Sequence, residues 1–214
     1  MSIMTSATDL LLVVDVQPDF CRGGTLAVED GDAVVAPFNS LMERFAHVAA
    51  TQDWHPPGHA SFASSRPDRA AFDVIELDYG AQTLWPDHCV QGTAGAALHP
   101  GLTQARIELV LRKGLNPDID SYSAFLENDR VTPTGLAGYM RDRGFCRVAC
   151  TGLALDYCVR YSAEDARRLG FEAVVVTDPC RAIDQRGSLT VALAAMRATG
   201  VNLVPNSDIR AGAR

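Results

Sequence analysis

The sequence predicts a three-layer α/β protein: a doubly wound, mostly parallel six-stranded sheet with helices on both faces. Three observations carry this. Short apolar runs recur along the chain, separated by stretches of helical spacing, which is the pattern of successive strand-helix units. The first run, LLLVV at 10–14, is apolar at every position, as a strand covered on both faces must be. Three of the helical stretches close at a glycine, a common stop signal for a helix.

In order, LLLVV ends at Asp15 and a helix over roughly 33–46 leads to HVAAT at 47–51. The stretch 52–106 is rich in Pro, Gly, His and Ser with little periodicity; so long an irregular segment in a compact domain is expected to serve function. IELVLRK at 107–113 resumes the strands, and a helix over 134–143 closes at Gly144. FCRVACTG at 145–152 is followed by a helix over 157–169 closed by Gly170. FEAVVVTD at 171–178, a helix over 188–199 closed by Gly200, and VNLVP at 201–205 complete the set. Right-handed crossovers join such parallel strands. No repeat, low-complexity tract or linker interrupts the chain, so residues 1–214 read as one domain with a core over about 10–205.

Composition narrows the function classes. With 214 residues, 47% of them apolar, the chain can bury one sizeable core. The net charge is −7 and the basic residues are scattered, which argues against a nucleic-acid partner. LLLVV is far too short to span a membrane, and MSIMTSATD has neither a basic segment nor a small-residue cleavage site. The expectation is a soluble, cytoplasmic protein. The six cysteines form no CxxC pair and read as reduced thiols.

Ligands of an open parallel sheet bind beyond the carboxyl ends of its strands. The residues there are Asp15, Asp53 with His55, Lys113, and Gly152 to Cys158. With a helix starting near Asp156, Cys158 falls in its first turn, where free N–H groups and the dipole are expected to lower the thiol pKa. A thiolate there is a nucleophile, and the same N–H groups can receive an oxyanion. Asp15, if raised by burial, can accept and return a proton, and Lys113 can stabilise the charges on sulfur and oxygen. Of the other thiols, Cys146 and Cys150 are expected to pack in the core, and Cys21, Cys89 and Cys180 to be buried or incidental. Asp53 and His55, two apart on an extended segment, offer metal ligands, and the loop adds His59 and His88; such donors suit zinc, iron or manganese. His59 is read as a surface or supporting histidine beside Gly58, and His47 and His99 as structural or solvated.

Taken together, LLLVVDVQPDFCRGGTLAV, TQDWHPPGHASFAS, LWPDHCVQGTAGA, LRKG, DSYSAF and TGLALDYCVRYSAEDA resemble the nicotinamidases (pyrazinamidases) of the isochorismatase-like cysteine hydrolases, from about residue 10 to 205. The resemblance implies a fold of that name. It implies Asp15, Lys113 and Cys158 as the catalytic set, and Asp53, His55 and His88 as ligands of one divalent metal ion, zinc first, with iron or manganese as alternatives. It further implies a cis peptide at Leu153–Ala154, an oxyanion site at the Ala154 and Cys158 N–H groups, and a ring pocket of Phe20, Leu26, Trp85 and Tyr122. The implied reaction converts nicotinamide, and pyrazinamide with it, to the acid and ammonia through a thioester, as a step of NAD salvage, the metal orienting the ring. A homo-oligomer is left open.

Three other readings stand beside this one. A sister amidohydrolase acting on a carbamoyl or other small amide would keep Asp15, Lys113 and Cys158 without the metal group. A non-catalytic binding protein on the same fold would tolerate loss of Cys158. A thiol redox protein would need a second cysteine close to Cys158 in sequence, and there is none.

Overall fold

The computed structural model describes residues 2–212. Six strands build its main sheet: β1 (Asp9–Val14), β2 (His47–Asp53), β3 (Leu109–Lys113), β4 (Arg147–Gly152), β5 (Glu172–Val176) and β6 (Asn202–Val204). Their order is β3-β2-β1-β4-β5-β6, and every pairing is parallel. The helices are α1 (Val35–Met42), α2 (Leu136–Asp142), α3 (Arg160–Arg168) and α4 (Ser188–Ala198).

The two faces of the sheet are read directly from alternation in β1. Leu11 and Val13 join a core with Phe38, Leu41 and Met42 of α1 and with Trp85, Ala96 and Leu102 of the long irregular segment. Leu10, Leu12 and Val14 point the other way, into a core with Leu136 and Met140 of α2, Ala163 and Ala166 of α3, and Ala192 and Met196 of α4. All six β1 residues are buried because both faces are covered, and each fully buried leucine contributes about 1.5–3 kcal/mol of hydrophobic stabilisation.

Two details differ from the sequence reading. The run 107–113 shares the apolar look of the central strands, yet β3 lies at the sheet edge and alternates, leaving Val110 43% exposed. The segment 52–106 holds a small antiparallel hairpin, Val74–Leu77 with Gly80–Thr83, whose strands are too short and too polar to announce themselves. Residues Ile3–Met4 and Ile209–Arg210 form a further two-stranded parallel pair. Among the described residues no helix is long and apolar enough to cross a membrane.

The topology sets the position of the site. The strand order reverses at β1, which pairs with β2 on one side and β4 on the other. A crevice opens beyond the carboxyl ends at such a reversal. Four chain segments meet there: Asp15 after β1, Asp53 closing β2, Lys113 closing β3, and the turn after β4 that carries Cys158.

Candidate active site

The register of the sheet brings the charged residues together. Asp53 and Lys113 are direct partners across β2 and β3, and Val14 is opposite Gly152 across β1 and β4. At Gly152 a Cβ would stand 2.1 Å from the Val14 carbonyl oxygen, so the residue must be glycine for the two strand ends to approach this closely. Asp15 takes a left-handed backbone (φ 49°), unusual for a non-glycine residue, which turns the chain out of β1. Thr51 holds the turn by accepting from the Asp15 N–H (3.1 Å) and donating its hydroxyl to Asp15 Oδ1 (2.6 Å).

Lys113 is the hub. Its Nζ lies 2.9 Å from Asp15 Oδ2, donates to the Ser121 carbonyl at 2.9 Å, pairs with Asp53 Oδ1 and lies 3.5 Å from Cys158 Sγ. Asp15, Asp53 and Cys158 offer atoms all within 4.8 Å of one another. The lysine and both carboxylates are buried.

Burial disfavours the ammonium of Lys113, but Asp15 and Asp53 outweigh it and hold the lysine well above its ordinary pKa. Burial likewise opposes ionisation of Asp53, yet Lys113 above all holds it well below the usual carboxylate range. For Asp15 burial wins over Lys113, and the carboxyl is raised.

Cys158 departs from expectation. Burial pushes its thiol well above the ordinary value, with Asp15 and Asp53 adding to the rise and Lys113 only partly opposing it. The helix start is present, as a wide turn over Leu155–Val159 in which the Val159 N–H reaches the Ala154 carbonyl (3.2 Å). A helix end does not offset desolvation together with two neighbouring carboxylates, so the expected lowering does not occur. The Leu153–Ala154 peptide is cis. Of the remaining thiols, Cys150 is buried, and so are Cys21, Cys89 and Cys180. Cys146 is exposed rather than packed in the core, because β4 begins one residue later, at Arg147.

Beside this junction stands a set of metal-ligand atoms. Asp53 Oδ2 lies 3.6 Å from His55 Nε2 and 3.7 Å from His88 Nε2. The other nitrogens face backbone carbonyls, His55 Nδ1 at Gly114 O (3.1 Å) and His88 Nδ1 at Pro86 O (2.8 Å). Those carbonyls place the ring hydrogens on Nδ1 and leave both Nε2 lone pairs aimed at the carboxylate oxygen. Three acceptor atoms converging in a buried space fit a divalent cation. Gly114 completes the fit: its φ is 67°, and a Cβ there would fall 2.4 Å from the His55 ring. His59 is not a surface residue. It is fully buried, packs on the His55 ring with centroids 4.5 Å apart, and uses Nδ1 on Ser61 Oγ and Nε2 on the Asn116 carbonyl, both at 2.8 Å. With both nitrogens engaged it braces His55.

A narrow cleft reaches Cys158, lined by Phe20, Leu26, Trp85, Tyr122 and Ala154 and by Asp53 and His88. The four apolar and aromatic residues named from sequence therefore share one wall system. The Trp85 indole N–H donates to the Tyr122 hydroxyl (3.2 Å). Asp120, Tyr157 and Ile183 also line the cleft and were not singled out from sequence; they sit in loops and a helix start without periodic signal. Gln17 was likewise missed. Its amide donates to the Asp53 carbonyl (2.9 Å) and accepts from the Asp53 N–H (2.8 Å), fixing the end of β2.

The arrangement can activate a thiol, receive and return a proton, and hold a flat ring beside a cation. The chain is 48% identical to a nicotinamidase of Acinetobacter baylyi over 93% of both chains. A solved structure titled as a nicotinamidase pyrazinamidase of Acinetobacter baumanii superposes with a TM-score of 0.94 at 46% identity, covering 95% of this chain and 98% of that one. A pyrazinamidase of Pyrococcus horikoshii in complex with zinc matches with a TM-score of 0.74 at 33% identity, covering 92% and 99%. The model of the isochorismatase domain matches residues 9–207, and the chain belongs to the isochorismatase family.

Proposed function

We propose that the protein hydrolyses nicotinamide to nicotinate and ammonia, accepts pyrazinamide as a close analogue, and does so through a thioester on Cys158. The observation that supports this most is the position of Lys113 Nζ, 2.9 Å from Asp15 Oδ2 and 3.5 Å from Cys158 Sγ. The relatives bearing nicotinamidase names supply the substrate class.

In the proposed reaction the ring enters between Phe20 and Trp85 with its carboxamide at Cys158. Asp15 takes the thiol proton as Sγ attacks the carbonyl carbon. Burial makes Asp15 a stronger base than an exposed carboxylate, but it also makes the Cys158 thiol less acidic, so the transfer has to be coupled to formation of the carbon–sulfur bond. Lys113 offsets the negative charge on sulfur during the transfer. The Ala154 and Cys158 N–H groups are assigned to the oxyanion. Asp15 then gives its proton to the departing nitrogen, the C–N bond breaks, and ammonia leaves. A water molecule, losing a proton to Asp15, attacks the thioester; the C–S bond breaks, and nicotinate forms as the thiol is restored.

Asp53, His55 and His88 would hold one divalent cation, which when bound supplies a Lewis-acid contact that orients the ring. Zinc is the proposed ion, on the chemistry of one carboxylate and two imidazoles and on the zinc in the Pyrococcus relative; iron and manganese take the same donors. The six cysteines are free, which supports a reducing, cytoplasmic setting, and the proposed substrate gives the reaction a place in NAD salvage. A sister amidase without metal would have no use for the converging Asp53, His55 and His88 atoms, which favours the nicotinamide reading.

The test is ammonia release from nicotinamide by wild type and Cys158→Ala, with metal content measured on the same samples. Turnover by the wild type and none by the variant is expected. Full turnover by Cys158→Ala, or none by metal-replete wild type, would overturn the proposal.

A further inference from the structure

Asp156 stands two residues before Cys158 and takes no part in the chemistry above. It is 1% exposed, and its hydrogen bonds to other segments go to the loop that follows β5 and to Ser188, the first residue of α4. The Ile183 N–H donates to Oδ1 (3.1 Å), the Asp184 N–H to Oδ2 (2.9 Å) and the Ser188 hydroxyl to Oδ2 (2.5 Å). One residue earlier, the Leu155 N–H donates to the Arg181 carbonyl (2.8 Å), so residues 181–184 are sewn onto the turn that carries the nucleophile.

The loop has reason to move without that clamp. Asp184 and Arg186 both hold left-handed backbones (φ 50° and 53°), a conformation that non-glycine residues keep only when their surroundings enforce it. Ile183, next to Asp184, lines the cleft together with Ala154, Tyr157 and Cys158. The buried Asp156 carboxylate, alongside the Leu155–Arg181 bond, therefore helps to fix the spacing between one wall of the cleft and the reactive sulfur.

We propose that Asp156 is a positioning residue that sets ring selectivity: by holding Ile183 against the turn of Cys158 it fixes the width of the ring slot from outside the slot. The inference deepens the nicotinamide-hydrolase reading and rests on it for the choice of substrate.

Asp156→Asn tests it. The amide has the shape of the carboxylate but one acceptor oxygen, so its NH2 group must face a loop donor. Hydrogen exchange of the Ile183 and Asp184 amides in the resting protein should accelerate, a readout that needs no substrate. With nicotinamide, KM should rise about tenfold and kcat change less than about threefold, and discrimination against a ring-methylated nicotinamide should fall about tenfold. Ile183→Ala removes the wall itself, so adding Asp156→Asn to it should raise KM little further. Should Asp156→Asn fail to fold, Ser188→Ala removes one of the three bonds and should shift KM and selectivity in the same direction by a smaller factor. Unchanged exchange, a loss confined to kcat, additive effects of Asp156→Asn and Ile183→Ala, or a silent Ser188→Ala in the absence of a folded Asp156→Asn would each overturn the inference. A wild type that leaves nicotinamide intact would instead sink the substrate reading, while the exchange result would still report on the clamp.

Discussion

Replacing Lys113 by methionine removes the one cation from a buried junction of two carboxylates and a thiol, keeping the stem. In the native protein Nζ meets Asp15, Asp53 and the Ser121 carbonyl with almost no exposure to water. Breaking a buried ion pair by removing one partner typically costs about 3–5 kcal/mol. At about 2–4 °C per kcal/mol for a chain of this size, K113M should melt about 6–20 °C below wild type near neutral pH. The deficit is bounded because the stranded carboxylates can take protons, at a cost of about 1.4 kcal/mol per pH unit above their pKa. Asp53 is held low by Lys113, so its share of the stability is present above the unfolded carboxylate pKa and is lost as pH falls through the folded value. In wild type that share is intact from about pH 7 to about pH 5, whereas in K113M a stranded carboxylate takes up a proton over that range. The gap should therefore narrow, by about 2–3 kcal/mol for a carboxylate protonated across that range in K113M and not in wild type. Thermal melts of both proteins, stripped of metal to remove ligand linkage, measure this directly. In turnover, K113M should lose at least about a hundredfold in kcat, since the charge next to sulfur acts on the reacting atoms. Melting temperatures within about 2 °C of each other near neutral pH, or a gap that widens on acidification, would refute the reasoning.

Other perturbations give separate readings. Thr51→Val keeps the shape but strands the buried Asp15 N–H and carboxylate, so stability should fall by about 1–3 kcal/mol in denaturant titration and kcat should fall with it. Gly114→Ala should lower zinc content, measured by elemental analysis after dialysis, because the new methyl group meets the His55 ring. Chelation should weaken binding of nicotinate, followed by calorimetry on stripped and zinc-reloaded protein, far more than it changes the far-ultraviolet spectrum. Bulky maleimides should mark exposed Cys146 first without loss of activity, and inactivation by a small alkylating agent should track Cys158 and be slowed by nicotinate, as peptide mapping would show.

The sheet was legible because its strands are buried on both faces and betray themselves as apolar runs; LLLVV and RVACTG could hardly be anything else. The edge strand β3 was legible in position but not in burial, since an edge is a property of what fails to pair with it. The convergence of Asp15, Asp53, Lys113 and Cys158 was legible because parallel topology brings the residues after the strands to one edge of the sheet. Asp120, Gln17 and Thr51 were not. Their roles depend on which loop folds back over which strand end, and nothing in local spacing records that Gln17 will grip Asp53, thirty-six positions away. For His59 the sequence left a surface and a supporting place open for the same reason: a histidine beside a glycine looks solvated until the loop is seen to close over it, and only the supporting place agrees with its burial.

The raised thiol of Cys158 shows where a local rule gave way to the neighbourhood. A helix start alone would favour a thiolate, but here three acidic groups share one lysine. Lys113 and Asp53 keep their charges, so the remaining proton belongs to Asp15 and Cys158 jointly, both of which burial makes reluctant to ionise. A free thiolate would sit close to two carboxylates and be unstable. A thiol that passes its proton to Asp15 only as the carbon–sulfur bond forms avoids that state, because the negative charge moves on to the substrate oxygen and its N–H donors. On this view the site gains nothing from a resting thiolate, and the buried lysine serves to offset the charge on sulfur while the proton passes to Asp15.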